Sequence, residues 1–174
     1  LLRGVEPHDW DICTSARPEE VERCFAGHRM IETGLKHGTV TVLEGGEPYE
    51  ITTYRTEGPY SDSRRPDYVE FVSSLEADLA RRDFTMNAIA LGVDGGLRDP
   101  FGGAGAADIQ AGLIRCVGEP PCRFQEDGLR VMRALRFAAV LGYEIEEQTA
   151  QAIHENRHML EHVAAERLNV ELCK

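Results

Sequence analysis

Asp9 and Asp11 flank Trp10 near the start of the 174-residue chain. The run Asp9-Trp10-Asp11-Ile12-Cys13 reads as a short strand, and alternate side chains of a strand share a face. The two carboxylates then stand side by side, with Trp10 turned away. Like charges this close are unfavourable unless a cation joins them. Mg²⁺ suits the place, because it takes oxygen ligands and keeps waters or substrate phosphates. The competing reading is two solvated acids on an edge strand. Glu50 lies in the β-branched and aromatic run 49–54, where a charge is unusual for a half-buried strand. It becomes a third carboxylate near the metal if its strand neighbours the first. Otherwise it is an outward residue of an antiparallel strand.

Two further groups could bind a nucleotide. Arg81-Arg82-Asp83-Phe84-Thr85-x-Asn87 offers guanidinium forks for phosphate oxygens, with an acid, a hydroxyl and an amide. It also reads as a charged helix start with Asp83 as N-cap. A helix expected over 121–141 gathers Arg123, Glu126, Asp127, Arg130 and Arg133 on one face when wound at about 100° per residue. Asp127 and Arg130, three residues apart, would project together. An acceptor beside a donor matches the amino group and ring nitrogen of cytosine or adenine, and mismatches uracil and guanine. The plainer reading is an amphipathic face with ion pairs worth about 0.2–0.5 kcal/mol each. Finally, His154-Glu155-x-x-His158 matches the zinc-protease pattern. His162 continues the spacing on the same helix, and no metzincin-type extension follows. A zinc metalloprotease is therefore a reading of a different class, set against a polar helix face.

The elements that must hold these groups are mixed at first and helical later. Pro18 opens a helix with Glu19 and Glu20 in its first turn, ending near Gly27. Runs 38–42 and 49–54 are strands joined by a turn at Glu44-Gly45-Gly46-Glu47-Pro48. Residues 56–67, polar with two prolines, read as a loop. Ser73-x-x-Glu76 is a capping box before a helix, and a second helical run is expected from Met86 to Leu91. Asp94-Gly95-Gly96 is a tight turn, and residues 99–103 are the expected linker. Beyond Pro120 no strand signal is visible, and helices are expected over 121–141, 146–157 and 164–174. The expected fold class is α+β.

Composition bounds the function classes. The net charge of -11 argues against a non-specific nucleic-acid binder and fits a chain that gathers cations. Seventeen of the nineteen basic residues are Arg. The five cysteines form no C-x-x-C and read as reduced, cytosolic thiols. No apolar run approaches the ~20 residues of a membrane span. The start Leu1-Leu2-Arg3-Gly4, without Met, reads as that of a fragment.

Taken in order, these motifs are more specific than any one of them. The run LLRGVEPHDWDICTSA resembles the first motif of the class II tRNA nucleotidyltransferase (CCA-adding) and bacterial poly(A) polymerase family. GLKHGTVTVLEGGEPYEITTYR and RRPDYVEFVSSLEADLARRDFTMNA resemble its strands and second motif. RDPFGGAGAADIQAGLIRCVGEPPCRFQEDGLRVMRALRFAAVLGY resembles its linker and E-D-x-x-R motifs, and AERLNVELCK its final E-R-x-x-x-E motif. The resemblance implies a mixed-sheet nucleotidyltransferase head like the polymerase-β palm over 1–118, and an all-helical neck over 119–174. It implies that Asp9 and Asp11 bind Mg²⁺ with Glu50 as the associated carboxylate. Arg82, Asp83 and Asn87 would serve ribose and triphosphate. Asp127 and Arg130 would pair with the base, supported by Arg133, while Glu166, Arg167 and Glu171 brace the neck. Residues 99–103 would be a flexible joint, and the HENRH stretch an ordinary neck helix.

The implied partners are ATP, CTP and a tRNA 3′ end, in the cytoplasm and away from membranes. Addition of CCA is the expected activity. Poly(A) synthesis and CC-only or A-only addition are alternatives, and a non-catalytic RNA-binding module is disfavoured by the intact aspartate pair. The retained loop at 56–67 leans towards a CCA or A adder. The family's G-G-x-V-R-D segment is expected before Leu1, and its tRNA-binding body and tail beyond Lys174. The sequence leaves product class and oligomeric state open.

Overall fold

The computed structural model describes residues 2–7, 10–31, 34–58 and 68–174. Contacts divide them into two compact units, the first made of residues 3–58 with 68–78 and the second of residues 79–174. The division after Asp78 lies well before the expected linker, and residues 99–103 fall inside the second unit.

The first unit comprises β1 (Ile12–Thr14), α1 (Pro18–Cys24), β2 (Arg29–Ile31), β3 (Thr39–Glu44), β4 (Glu47–Thr53), β5 (Arg55–Glu57) and β6 (Val69–Phe71), with α2 (Leu75–Ala80) crossing into the second. The four-stranded sheet has the order β1-β4-β3-β2, with β1 parallel to β4 and the other pairs antiparallel. Gly45 and Gly46, at φ 60° and 91°, make the two-residue turn between β3 and β4. Positive φ at both central positions is the requirement of a type I′ turn, which glycine meets without strain. Val40, Val42 and Ile51 pack with Val21 of α1 to form the core. Pro18 starts α1, and Glu20 reaches back to accept the Arg17 N–H at 2.8 Å.

Three local expectations shift here. The loop expected from residue 56 begins later, because Arg55–Glu57 pairs with Val69–Phe71; residues 59–67 lie outside the described residues. Ser74 rather than Ser73 caps α2, its Oγ accepting the Ala77 N–H at 3.2 Å. Asp11 precedes β1, which starts at Ile12, and Asp9 lies outside the described residues.

The second unit comprises β7 (Ala90–Leu91), β8 (Leu97–Arg98), α3 (Ala104–Ala111), β9 (Leu113–Ile114), α4 (Pro120–Glu126), α5 (Leu129–Leu141), β10 (Glu144–Ile145), α6 (Glu147–Asn156) and α7 (Ala165–Leu172). The helical run expected from Met86 is instead a 3-10 turn over Thr85–Asn87 followed by the β7–β8 hairpin. The strand β10, absent from the sequence reading, pairs in parallel with β9. Two residues are too few for a period-2 pattern to show. Phe84, Ile114, Cys116, Phe124, Val131, Ala134 and Ala152 belong to one apolar core. No helix among the described residues is long and apolar enough to cross a membrane.

Cys116 sits in that core, and burial pushes its thiol up to about 12, against the smaller opposing effect of a hydrogen bond with Thr149. Alkylation needs thiolate and access. Iodoacetamide at about pH 8 is therefore expected to modify the exposed Cys24, Cys122 and Cys173 in the folded protein and to reach Cys116 only on unfolding. Mass spectrometry of partly alkylated protein checks this, and early labelling of Cys116 would contradict it.

Candidate active site

The sheet register brings Asp11, an expected metal ligand just ahead of β1, level with Glu50 of β4, the expected associated carboxylate. In the parallel pair β1–β4, Ile12 is level with Ile51. Asp11 and Glu50 each stand one position ahead of these partners, so the register sets them level at the start of the shared ladder. Ile51 faces the core, whereas Asp11 and Glu50 are exposed. Among the described residues neither carboxylate has an ion-pair partner, and both offer only hard oxygen donors. That donor chemistry fits a divalent cation such as Mg²⁺. Asp9, the remaining expected ligand, lies outside the described residues.

The second unit departs from the expected continuous helix at the residues meant to read a base. α4 ends at Glu126, Asp127 is extended at φ -145° and ψ 108°, and α5 begins at Leu129. Winding 121–141 as one helix therefore misplaces Asp127. Its Oδ1 accepts the Leu129 N–H at 3.0 Å, which satisfies one of the unpaired amides in the first turn of α5. Arg167 of α7 grips the same group through both nitrogens, at 3.2 Å to Oδ1 and 2.8 Å to Oδ2. The break is possible because residue 128 is glycine. A Cβ there would lie 2.5 Å from the Met159 carbonyl oxygen.

Arg130 is nearly buried and densely held. Its Nη1 donates to Glu126 Oε2 at 2.5 Å and to the Arg123 carbonyl at 3.1 Å, while Nη2 donates to the Arg81 carbonyl at 3.2 Å. Glu126 also takes Arg123 Nη2 at 2.8 Å. Neither of the two side chains expected to read a base therefore floats.

Arg133 does not join them. Its Nε donates instead to Asp83 Oδ2 at 2.6 Å. Asp83 is fixed from several sides. Its Oδ1 accepts the Phe84 N–H at 2.8 Å and Asn87 Nδ2 at 3.1 Å, and its own carbonyl accepts the Val117 N–H at 3.0 Å. Arg82 Nη1 reaches the Asn87 carbonyl at 3.5 Å. Of the residues expected to brace the neck, Glu171 is buried and Arg167 half-buried, whereas Glu166 is exposed. Arg136, not singled out by sequence, donates Nε to Glu171 at 2.5 Å. Its signal was present as a charge on the mostly apolar α5, where a buried arginine demands a partner.

The zinc-protease pattern does not survive. α6 ends at Asn156 and a 3-10 helix runs over Arg157–His162. His154 and His158 thus lack the continuous α-helical i, i+4 relation that the pattern needs. Among the described residues no cluster of three metal-binding side chains occurs.

Residues 1–115 match the family described as the poly(A) polymerase head domain. The chain belongs to that family. Residues 142–174 match a second family, described as "Probable RNA and SrmB- binding site of polymerase A". The whole chain is similar to a CCA-adding enzyme of Lactobacillus helveticus, with 53% identity over 174 residues, 100% of this chain and 43% of that protein. It also resembles the crystal structure of the Bacillus stearothermophilus CCA-adding enzyme in complex with CTP, with a TM-score of 0.87 and 47% identity over 98% of this chain and 40% of that one. A tRNA nucleotidyltransferase complexed with a primer tRNA and an incoming ATP analog matches with a TM-score of 0.73 and 29% identity, over 98% of this chain and 48% of that one. The chain thus spans less than half the length of these relatives. The α+β class with a mixed-sheet nucleotidyltransferase head agrees with these likenesses. Divalent-metal use goes with this family.

The close approach at Gly128 generates a stability prediction. Gly128→Ala forces a Cβ against backbone and is expected to cost about 1–3 kcal/mol, as overpacking does. Urea unfolding checks it; a cost below about 0.5 kcal/mol would show that Met159 yields freely.

Proposed function

We propose that this chain is the catalytic head and base-reading neck of a nucleotidyltransferase that adds C and A, from CTP and ATP, to the 3′ end of tRNA. The observation that carries the reading is the state of Asp127. A carboxylate has about four acceptor sites. Leu129 N–H and the two Arg167 nitrogens fill three of them, leaving one on Oδ2. A fixed, ionised acceptor takes the amino group of cytosine or adenine and repels the carbonyl that uracil and guanine present there. Arg130, which can only donate, suits the bare ring nitrogen of cytosine or adenine and opposes the ring N–H of uracil or guanine. Selection by a protein pair needs no template. The similar enzymes solved with CTP and with an ATP analog and primer tRNA support the same substrates for this chain.

Asp9 and Asp11 are proposed to hold Mg²⁺, with Glu50 as the associated carboxylate. When bound, the metal supplies charge that favours ionisation of the primer 3′-hydroxyl and neutralises the triphosphate. Asp11 and Glu50 would fix that charge at the start of the β1–β4 ladder. Arg82 would take phosphate oxygens, and Asn87 orients Asp83 towards the ribose. The chain's own contribution is positioning and charge stabilisation. The cytoplasm, where tRNA is processed and thiols stay reduced, is the proposed location.

Poly(A) synthesis is the second reading, because the matched family bears that description. The protein carrying this chain should be given tRNA lacking its 3′ end, or ending in C or CC, with single nucleotides and Mg²⁺. Product lengths separate CCA, CC, A and poly(A) addition, and a long adenylate ladder would replace the first reading with the second. Asp11→Ala is expected to lower addition at least about 100-fold while nucleotide still binds weakly. Near-normal turnover would remove the metal assignment. Arg130→Ala is expected to relax C/A over U/G selectivity by roughly 10–100-fold. Competition assays with mixed nucleotides check this, and an unchanged preference counts against the pair.

A further inference from the structure

We infer that Glu171 is a positioning residue for sugar selection, acting through Arg133 on Asp83. The inference rests on the proposed reading of Asp83 as the ribose-facing carboxylate. Glu171, on α7, is only 2% exposed. Its Oε1 accepts Arg136 Nε at 2.5 Å and faces Arg133 Nη1 at 3.9 Å. The same Arg133 guanidinium donates Nε to Asp83 Oδ2 at 2.6 Å. One planar fork is thus held between two carboxylates. Phe137 lies beneath both arginines, with guanidinium carbons 5.3 Å (Arg133) and 4.1 Å (Arg136) from its ring centre. Lys174 Nζ, 4.0 Å from Oε2, is the remaining charge facing Glu171 among the described residues.

This arrangement sets how Asp83 can accept a hydroxyl. Phe84 N–H, Asn87 Nδ2 and Arg133 Nε occupy three of its acceptor sites, out of about four on a carboxylate. The remaining one is on Oδ2, the oxygen that Arg133 touches. A ribose hydroxyl donating there shares the oxygen with the guanidinium, so its approach depends on where Arg133 sits. Arg133 is anchored from behind by Glu171. Removing that charge leaves two guanidiniums repelling each other over Phe137, and the fork loses its second anchor. A site that bonds a hydroxyl discriminates strongly against the analogue lacking it, so a small displacement reads out as lost discrimination.

Base reading has different anchors. Asp127 is held by Arg167, and Arg130 by Glu126 and the carbonyls of Arg123 and Arg81. Glu171 bonds none of them. Sugar and base selectivity should therefore come apart, which a general loosening of the helices would not produce.

The test compares ATP with dATP, and CTP with UTP, by kcat/KM in the protein carrying this chain. Glu171→Gln keeps the shape and removes the charge. It is expected to lower the ATP/dATP ratio about tenfold or more while the CTP/UTP ratio stays within about twofold, and Glu171→Asp is expected to recover part of the loss. Both ratios falling together, or neither moving, overturns the inference. If Glu171→Gln does not fold, Arg133→Lys tests the middle link with the same expectation, and an unchanged ATP/dATP ratio overturns the relay. Asp83→Asn separates the two levels. If it keeps the full ribose preference, the reading of Asp83 itself falls. If it loses the preference and Glu171→Gln does not, only the relay falls.

Discussion

The Arg167 guanidinium holds both oxygens of Asp127, 40 residues away in the chain, at 3.2 and 2.8 Å. Much of the second unit follows from accommodating that grip. Asp127 leaves the helix, and its carboxylate accepts both the Leu129 N–H and the Arg167 fork. α4 and α5 therefore stop and restart around it, and the restart needs a residue without a Cβ beside the Met159 backbone. α7 then carries Arg167 and Glu171 four residues apart, on one helical face. From that face one side chain fixes a carboxylate proposed to read bases, and the other anchors the arginine on a carboxylate proposed to read sugar.

Buried ion pairs of this kind are poor sources of stability, because desolvation offsets most of the attraction. Apolar residues of similar volume would hold the helices together about as well. What a charged network adds is direction. A carboxylate with three of its acceptor sites filled can take a further donor from one side only. The network around Asp83 and Asp127 is therefore better understood as aiming than as fastening, and the apolar core from Phe84 to Ala152 supplies the cohesion.

The sequence was informative where structure repeats locally. The β3–β4 hairpin was legible because Val40 and Val42 alternate with polar neighbours and Gly45-Gly46 permits one turn. α1 was legible from Pro18 and its acidic first turn. The likeness of motif order made the head class legible as well. The break at Asp127 was not, because projecting residues at a fixed angle assumes the helix continues. Met86 to Leu91 read as helix because short apolar runs fit either period. The long-range pairs were hidden for a different reason. Asp83 with Arg133 spans 50 residues and Arg136 with Glu171 spans 35, and nothing in local spacing chooses among many possible partners. Arg133 was accordingly placed beside its sequence neighbours Asp127 and Arg130 rather than on Asp83. Glu50 was conditional on strand order, which only the β1–β4 pairing supplies.

The net charge of -11 looks unsuited to a chain proposed to act on nucleic acid, yet the arginines show how the charge is arranged. Arg133 joins Asp83 to Glu171, Arg130 joins Glu126 to two carbonyls, and Arg115 joins Asp108 to Glu146. Each task requires one cation to address acceptors in different directions within a plane. A lysine ammonium is a strongly hydrated point charge and cannot span them. The excess of acid therefore includes carboxylates that serve as acceptors for these arginines and others proposed as metal ligands. Arg115, Arg130 and Arg133, three of seventeen arginines against two lysines, use the fork geometry to keep those carboxylates aimed. Net charge measures neither demand, whereas the choice of cation reports both.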